Sequence, residues 1–363
     1  MRLSLEEVRN GIRPVDPAWR VKARTRLNDL AIPLNSLGNL LDLAEQLAAI
    51  KESMTPSVKN KMIVTMAGDH GVVAEGVSAF PQEVTPQMVH NFVSGGAAIN
   101  VLSEVAGSGV TVVDMGVAAD LTDLVNTKKI LSYKVAGGTQ NMAKGPAMTR
   151  AQAVQALEAG IEIASTLIEN GIELLGTGDM GIGNTTPSSA ILAVFSGKSP
   201  RQVTGRGTGI GDAALDNKVR VIEQAITLNN PDPKDALDVL AKVGGFEIGG
   251  IAGLILGAAY HRVPIVIDGL ISSAGALVAK NLASASADYM IAAHQSVEPG
   301  HRYMLEELGL KPILNLNLRL GEGTGAALAM PIVESASRII HKMLTFSDAG
   351  VTDPGNSEVL LYA

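Results

Sequence analysis

Two glycine-rich loops offer backbone amides that could bind an anionic ligand. The first, residues 176–186, directly follows an apolar run, and the second, residues 205–212, precedes a predicted helix that carries Lys218 about two turns in. Glycines leave N–H groups uncovered, and a helix that follows directs its positive end at the loop. Together with Lys218, the loops predict a phosphate site. The alternative is that they are only tight turns and that Lys218 is a solvated surface residue.

The first loop also matches a dinucleotide pattern, but only in part. Gly176, Gly178 and Gly181 satisfy G-x-G-x-x-G, which needs an acidic residue about 20 positions later to hold a ribose hydroxyl. No Asp or Glu lies between Met180 and Gly211. A nicotinamide dehydrogenase is therefore disfavoured. A P-loop nucleotidase is also disfavoured, because G-x-x-x-x-G-K-[ST] does not occur in the sequence.

Glu322 is the candidate general base. It stands between Gly321 and Gly323 beside an apolar segment, and burial raises the proton affinity of a carboxylate. Arg319 would lower that affinity if it lay close. The alternative is a glutamate at a helix N-terminus, stabilised by the helix dipole.

Two further polar segments carry weaker signals. Residues 294–301 contain a hydroxyl and two imidazoles. Because isolated histidines are more often structural, only Ser296 is predicted to contact a phosphate. Asp69 and His70 resemble half of a metal site without a second ligand cluster, so a hydrogen-bonded structural pair is favoured and no metal is expected.

Short apolar runs that end in Gly or Asp predict the elements that hold these loops. The runs are residues 62–69, 110–116, 172–176, 264–269 and 289–293. Near-continuous apolar strands are typical of a parallel sheet buried on both faces. Helical patterns lie between them, most clearly at residues 149–170, where Thr149 and Gln152 form a capping-box pattern. The prediction is an α/β fold with a Rossmann-like, mostly parallel sheet and flanking helices.

Both chain ends are predicted to form a second, small helical domain. Residues 17–50 and 331–346 have helical apolar spacing, which gives a small domain of residues 1–55 with 331–363 and a large domain of residues 56–330. Within the large domain, glycines recur four apart from Gly245 to Gly257. This stripe predicts a buried helix that another element approaches closely. We also hypothesise that it borders a subunit interface.

Composition excludes several classes of function. The 363 residues carry 29 Lys and Arg against 36 Asp and Glu, a net charge of −7, which argues against a nucleic-acid binder. The absence of Cys excludes disulfides, thiol nucleophiles and iron–sulfur clusters. Acidic residues near the start argue against an export signal, and the most apolar segment, residues 248–260, is too short to cross a bilayer. We expect a soluble cytoplasmic protein.

Several motifs, in this order, resemble those of a known enzyme family. They are A-G-D-H-G-V at 67–72, P-Q-E-V-T at 81–85, G-T-Q-N-M at 138–142, G-I-G-N-T-T at 181–186, G-T-G at 207–209 and R-L-G-E-G-T-G at 319–325. They resemble the nicotinate-nucleotide:dimethylbenzimidazole phosphoribosyltransferase family of cobalamin nucleotide-loop assembly. The resemblance extends from about residue 30 to about residue 350.

This resemblance implies a fold, a reaction and an assembly. The fold is a Rossmann-like α/β domain with a small helical domain from both chain ends, in a homodimer. The reaction transfers the 5-phosphoribosyl group of nicotinate mononucleotide to 5,6-dimethylbenzimidazole or a similar base, releases nicotinate and inverts the linkage from β to α. It requires no metal or redox cofactor, and the family's general base falls on Glu322.

The resemblance also implies the substrate contacts. Those expected at the phosphoribosyl group are Gly181, Gly183, Asn184, Thr185, Gly207, Thr208, Gly209, Lys218 and Ser296. Phe80, Gln87 and Met88 fall where the family contacts the accepting base, and Asp179 and Arg319 complete the predicted substrate-binding set.

Two departures from the family pattern leave the acceptor open. Asp179 stands where the family usually has a glutamate, and the early K-P-x-G-S-L-G signature begins here with Ile32 in place of the lysine. Phenol or purine acceptors are therefore a second enzymatic hypothesis. A catalytically silent partner subunit or nucleotide sensor is the alternative from another class, favoured by Asp179 and opposed by Glu322.

Overall fold

A six-stranded sheet, parallel throughout, forms the centre of the computed structural model, which describes residues 3–353. The strands are β1 Lys61–Gly68, β2 Ser108–Gly116, β3 Leu131–Ser132, β4 Leu174–Met180, β5 Ile265–Ile267 and β6 Met290–Ala292. Their order across the sheet is β3-β2-β1-β4-β5-β6. The predicted α/β fold with a Rossmann-like parallel sheet is confirmed.

Helices cover the sheet and build the second unit. They are α1 Leu5–Gly11, α2 Pro17–Asn28, α3 Asn39–Lys51, α4 Val84–Val93, α5 Ala98–Ala106, α6 Thr122–Asn126, α7 Arg150–Glu169, α8 Thr185–Ser196, α9 Pro200–Val203, α10 Asp212–Asn229, α11 Ala236–Val243, α12 Phe246–Tyr260, α13 Leu270–Leu282, α14 Pro299–Leu308, α15 Thr324–Lys342 and α16 Phe346–Ala349. Short 3-10 helices occupy Gly71–Glu75 and Ser284–Tyr289. Within residues 3–353, none of the helices combines the length and apolar content needed to cross a bilayer.

The strand order places a binding crevice between two central strands. β1 pairs with β2 on one side and with β4 on the other. Successive strands are therefore added toward one edge of the sheet from β1 to β3 and toward the opposite edge from β4 to β6. Ligands of open α/β sheets bind at such a switch point, beyond the carboxyl ends of the strands.

The edge strand β3 was not predicted, because two exposed residues carry no periodic apolar signal.

The glycine stripe packs against another helix of the same chain. An added Cβ on Gly253 of α12 would lie 1.9 Å from the carbonyl oxygen of Leu157 on α7. One on Gly160 of α7 would lie 2.0 Å from the carbonyl oxygen of Gly250. The two backbones therefore touch, as the spacing predicts. Helix α7 of the same chain covers these positions, and the hypothesis that the stripe borders a subunit interface stays a prediction.

The first compact unit contains the sheet. It comprises residues 1–13 and 60–330, so the expected assignment of the chain start to the helical domain differs from the structure. The reason is the contacts of α1: the Leu5 N–H donates to Glu158 on α7, at 3.2 Å from Oε1, and Arg9 Nε donates to the Leu282 carbonyl at 3.0 Å. Gly11 lies against the Tyr260 ring.

The second unit comprises residues 14–59 and 331–363, of which 354–363 lie outside the described residues. In it, α2 and α3 are joined by Arg24, which forms ion pairs with Asp42 at 2.7 Å and Glu45 at 2.8 Å. The helix predicted over residues 331–346 in fact begins at Thr324 and continues through Pro331 to Lys342.

Replacing Gly253 with alanine tests the contact between α7 and α12. Because the new Cβ would meet a carbonyl oxygen that belongs to rigid backbone, we expect the free energy of unfolding to fall by about 3 kcal/mol. Gly145→Ala is the matched control, since nothing lies within 4 Å of its added Cβ. Urea denaturation followed by circular dichroism measures both, and equal midpoints for the two variants would contradict the packing.

Candidate active site

One cavity of about 570 Å³ lies where the loops after β4, β5 and β6 meet. Its lining consists of Val77, Ser78, Phe80, Val84, Met88, residues 179–185, Gly207, Thr208, residues 269–271, His294, Ser296, Glu298 and residues 319–322. The position agrees with the rule for open parallel sheets.

Most of the predicted site residues come together here. Those that line the cavity are Phe80, Met88, Asp179, Gly181, Gly183, Asn184, Thr185, Gly207, Thr208, Ser296, Arg319 and Glu322. Three predicted residues do not: Gln87 and Gly209 are exposed outside the lining, and Lys218 lies beneath it. Gln87 is directed away because its helix turns Val84 and Met88 toward the cavity instead.

The loop after β4 carries its backbone directly across the end of β1. An added Cβ on Gly181 would lie 2.3 Å from the Gly68 carbonyl oxygen, and Gly183 has a φ of +87° that favours glycine. α8 begins at Thr185, so residues of its N-terminus, the positive end of the helix dipole, line the cavity. The loop therefore brings main chain close to the end of β1 and to the cavity.

The second glycine loop is held by three neighbouring segments. Gly207 donates its N–H to Glu298 Oε1 at 2.9 Å and accepts from Arg319 Nη1 at 3.1 Å. Thr208 Oγ1 accepts the Ala79 N–H at 3.0 Å. Arg319 is thus bound to the glycine loop, and it is not among the groups that shift the pKa of Glu322. The expectation that it could lower the proton affinity of Glu322 finds no support.

Lys218 reaches the site from below. Its side chain is 1% exposed, and Nζ donates to Thr185 Oγ1 at 2.6 Å. An added Cβ on Gly207 would lie 3.3 Å from the same Nζ. Burial lowers the pKa of Lys218 to about 8, although the charge of Glu298 opposes that shift. The alternative that Lys218 is a solvated surface residue is wrong.

Glu322 is placed in the cavity by strained backbone. Its φ is +64°, a left-handed conformation that non-glycine residues seldom adopt. Oε2 accepts the Ile99 N–H at 3.1 Å, while Oε1 has no hydrogen-bond partner among the described residues. Burial raises the pKa of Glu322, the Ile99 N–H lowers it, and the negative charge of Asp268 raises it. The Glu322 carboxylate is therefore stabilised by the N-terminus of α5, which contains Ile99, and not by the N-terminus of α15, which follows Glu322 in the chain.

Asp179 is the second carboxylate of the site. Burial, and then the charges of Asp268 and Glu247, raise the pKa of Asp179 well above its ordinary value. The Asn184 side chain donates to Oδ2 at 3.0 Å, and this hydrogen bond opposes the rise. Oδ1 is buried without a hydrogen-bond partner. A carboxyl group in these surroundings favours the protonated form.

Asp69 and His70 have structural partners. The Ala118 N–H donates to Asp69 Oδ2 at 2.7 Å, and His70 Nε2 lies 2.8 Å from Glu247 Oε1. Burial lowers the pKa of His70, but the stronger combined attraction of Glu247 and Asp69 raises it. Across residues 3–353, no group of three or more His, Cys, Asp or Glu side chains is arranged to hold a metal ion.

Sequence reasoning missed several parts of the lining. The N-terminal end of α13, residues 269–271, follows the predicted strand 264–269 and could have been found as a loop at a strand end. His294 and Glu298 lie in a loop from which only Ser296 was selected. Their position after a strand was a signal for both residues. His294 was set aside because histidines seldom act as ligands, and Glu298 was not considered.

Comparisons with known proteins agree over most of the chain. A family profile described as phosphoribosyltransferase matches residues 12–351. Proteins named nicotinate-nucleotide–dimethylbenzimidazole phosphoribosyltransferase include one from Geobacter metallireducens, 57% identical over 96% of this chain and 98% of its own. Another, from Syntrophotalea carbinolica, is 60% identical over 94% and 96%. The crystal structure of CobT from Thermus thermophilus has a TM-score of 0.88 and 47% identity, covering 93% of this chain and 99% of that one.

Replacing Asp179 with asparagine tests the buried carboxyl. Because folding raises the pKa of Asp179, stability is lost as pH rises from the unfolded value, near 4, through the folded value. The asparagine variant does not lose this stability, because its amide does not ionise. We expect its free energy of unfolding to exceed that of the wild type by on the order of 1–2 kcal/mol at pH 8 and to be close to that of the wild type at pH 4. Urea denaturation at both pH values measures this, with the exposed Asp123→Asn as control. A difference independent of pH would contradict the burial argument.

Proposed function

Because the chain belongs to the nicotinate-nucleotide–dimethylbenzimidazole phosphoribosyltransferase family, we propose that it transfers the 5-phosphoribosyl group of nicotinate mononucleotide to 5,6-dimethylbenzimidazole. The products are α-ribazole 5′-phosphate and nicotinate. The observation that carries the proposal is one cavity that joins an unpartnered Glu322 carboxylate oxygen to two glycine loops above a buried lysine.

The N-terminus of α8 and Lys218 support binding of the donor phosphate. A protein of net charge −7 must supply local donors to attract an anion. Main-chain amides at the N-terminus of α8 and a buried ammonium beneath Thr185 and Gly207 are such donors. Ser296 lies in the same lining and offers a hydroxyl.

An apolar part of the cavity supports binding of an aromatic acceptor. Phe80, one of only five Phe residues in the chain, is 51% exposed instead of being buried in the core. It lines the cavity together with Val84, Met88 and Leu320, which is 58% exposed. Aromatic rings and methionine pack well on a flat heterocycle. Gln87, exposed outside this lining, has no part in the proposed contact.

The reaction needs one proton acceptor and accurate positioning. A ring nitrogen of the acceptor forms a bond to carbon 1′ of the ribose, and the bond from carbon 1′ to the pyridinium nitrogen breaks. Nicotinate leaves with that electron pair, and the acceptor ring gives its N–H proton to Glu322. Attack from the face opposite the leaving group converts the β-linkage to α. Proton transfer supplies about 10²–10⁴-fold, and alignment of the two rings supplies most of the remainder.

The assembly and location follow from the family resemblance. We propose a cytoplasmic homodimer, as the resemblance and the sequence imply. Val101 and Val105, one turn apart on α5, are 57% and 79% exposed and offer apolar surface for contact between subunits.

Replacing Glu322 with glutamine tests the proposal. The amide keeps the size of the side chain but cannot accept the proton, so we expect nicotinate mononucleotide to bind with unchanged affinity while turnover falls about 10²–10⁴-fold. Nicotinate release is measured by chromatography with 5,6-dimethylbenzimidazole, adenine and phenol as acceptors.

The wild-type arm of that assay tests the acceptor as well. Release of nicotinate with phenol or adenine but not with the benzimidazole would replace the acceptor. Binding of the nucleotide without release in the presence of any of the three would favour a silent subunit. Wild-type rates in Glu322→Gln would remove Glu322 from the mechanism.

Replacing Lys218 with methionine tests the phosphate site. Because the pKa of Lys218 is about 8, its positive charge is lost as pH rises through that value, and we expect kcat/KM for nicotinate mononucleotide to decline above pH 8 in the wild type. Lys218→Met should weaken kcat/KM about 10- to 100-fold at pH 7 and abolish the decline. Exposed Lys234→Met serves as control. A decline that persists in Lys218→Met would assign it to another group.

A further inference from the structure

Asp268 binds the segment that carries Glu322. It follows β5, is 1% exposed, and accepts three backbone N–H groups: Gly323 at 3.1 Å, Gly325 at 2.7 Å and Ala326 at 3.1 Å. These amides begin α15, whose start is thus capped by a carboxylate from a strand end 55 or more residues away in sequence. The cap starts one residue after Glu322.

Glu322 itself is fixed from the other side. Its N–H donates to the Asp179 carbonyl at 3.2 Å, and Thr65 Oγ1 donates to its carbonyl oxygen at 2.8 Å. An added Cβ on Gly178 would lie 2.3 Å from that same oxygen, so the turn rests on β4. A left-handed non-glycine residue persists only where its surroundings over-determine it. The Asp268 carboxylate completes those surroundings.

We propose that Asp268 is a positioning residue for the reaction, which fixes the turn that carries Glu322 and keeps that carboxylate a ready proton acceptor. The inference rests on the proposed function for its kinetic part. Asp268 acts through Glu322 and is not itself a lining residue of the cavity.

Charge is the second means by which Asp268 acts. Burial is the largest cause of the raised pKa of Glu322, and the negative charge of Asp268 raises that pKa further, whereas the hydrogen bond from the Ile99 N–H lowers it. The other titratable groups nearby are Asp179 at the end of β4 and His294 after β6, whose Nε2 lies 3.6 Å from Asp268 Oδ1. Burial raises the pKa of Asp268 itself, while the charge of His294 and the three donating amides oppose that rise by favouring the ionised form.

Asp268→Asn tests the proposal through the pH profile of kcat/KM. Removing the charge should move the acidic limb, where Glu322 gains its proton, to lower pH by about 0.5–1 pH unit. Misplacement of the turn should lower the plateau about 10- to 100-fold. Thr65→Val is the matched control, because it removes one hydrogen bond to the Glu322 turn without changing charge. It should lower the plateau and leave the limb where it is.

A second measurement does not depend on activity. In protein labelled with ¹³C-carboxyl glutamate, the Glu322 signal is identified by its loss in Glu322→Gln, and its titration should move to lower pH in Asp268→Asn. Asp268→Ser, which keeps a hydroxyl acceptor without charge, is titrated in parallel in case the asparagine variant fails to fold.

The outcomes separate the two proposals. An inactive wild type with a shifted Glu322 titration would overturn the proposed function and retain the tuning of Glu322 by Asp268. An active wild type with an unshifted limb and titration would make Asp268 merely structural and overturn the inference. Failure of both Asp268 variants to fold would do the same.

Discussion

Buried carboxylates that accept hydrogen bonds from backbone amides are the interaction on which this site depends. Asp268 accepts three N–H groups, Glu322 accepts that of Ile99, and Glu298 accepts that of Gly207. These hydrogen bonds hold the carboxylates in place, and the negative charge of Asp268 raises the pKa of both Glu322 and Asp179. The price is mutual repulsion, seen most strongly at Asp179.

This arrangement separates the cavity into two electrostatic parts. Around Glu322 and Asp179, acids and low solvent exposure favour proton uptake. Around Gly207 and Thr185, a helix N-terminus and the Lys218 ammonium favour an anion. Both parts lie at strand ends, so the parallel order of the sheet brings together residues from distant parts of the sequence. A reaction between a phosphorylated donor and a base that loses a proton requires these two environments side by side.

The sequence predicted those features that have a local pattern. Apolar runs indicated the strands of the sheet core, and glycine spacing indicated both the loops of the cavity and the close approach of another element to α12, although not that this element is α7. The residue pairings across the fold had no such pattern. Asp268 follows a predicted strand, yet nothing near it in sequence shows that it caps α15. Lys218 was expected at the ligand, but only the packing of α10 against α8 shows that its Nζ lies beneath Thr185. The side-chain direction of Gln87 likewise depends on how α4 is rotated.

The contact between α7 and α12 has a mechanical consequence. Because the Gly253 backbone meets the Leu157 carbonyl directly, no layer of side chains separates the two helices, and neither can slide or tilt by changing rotamers. The pair is therefore a rigid support for β1, β2 and β4, on which α12 packs. Widening of the cavity to admit two ring systems is therefore expected at the side chains of Phe80 and Leu320, which are 51% and 58% exposed.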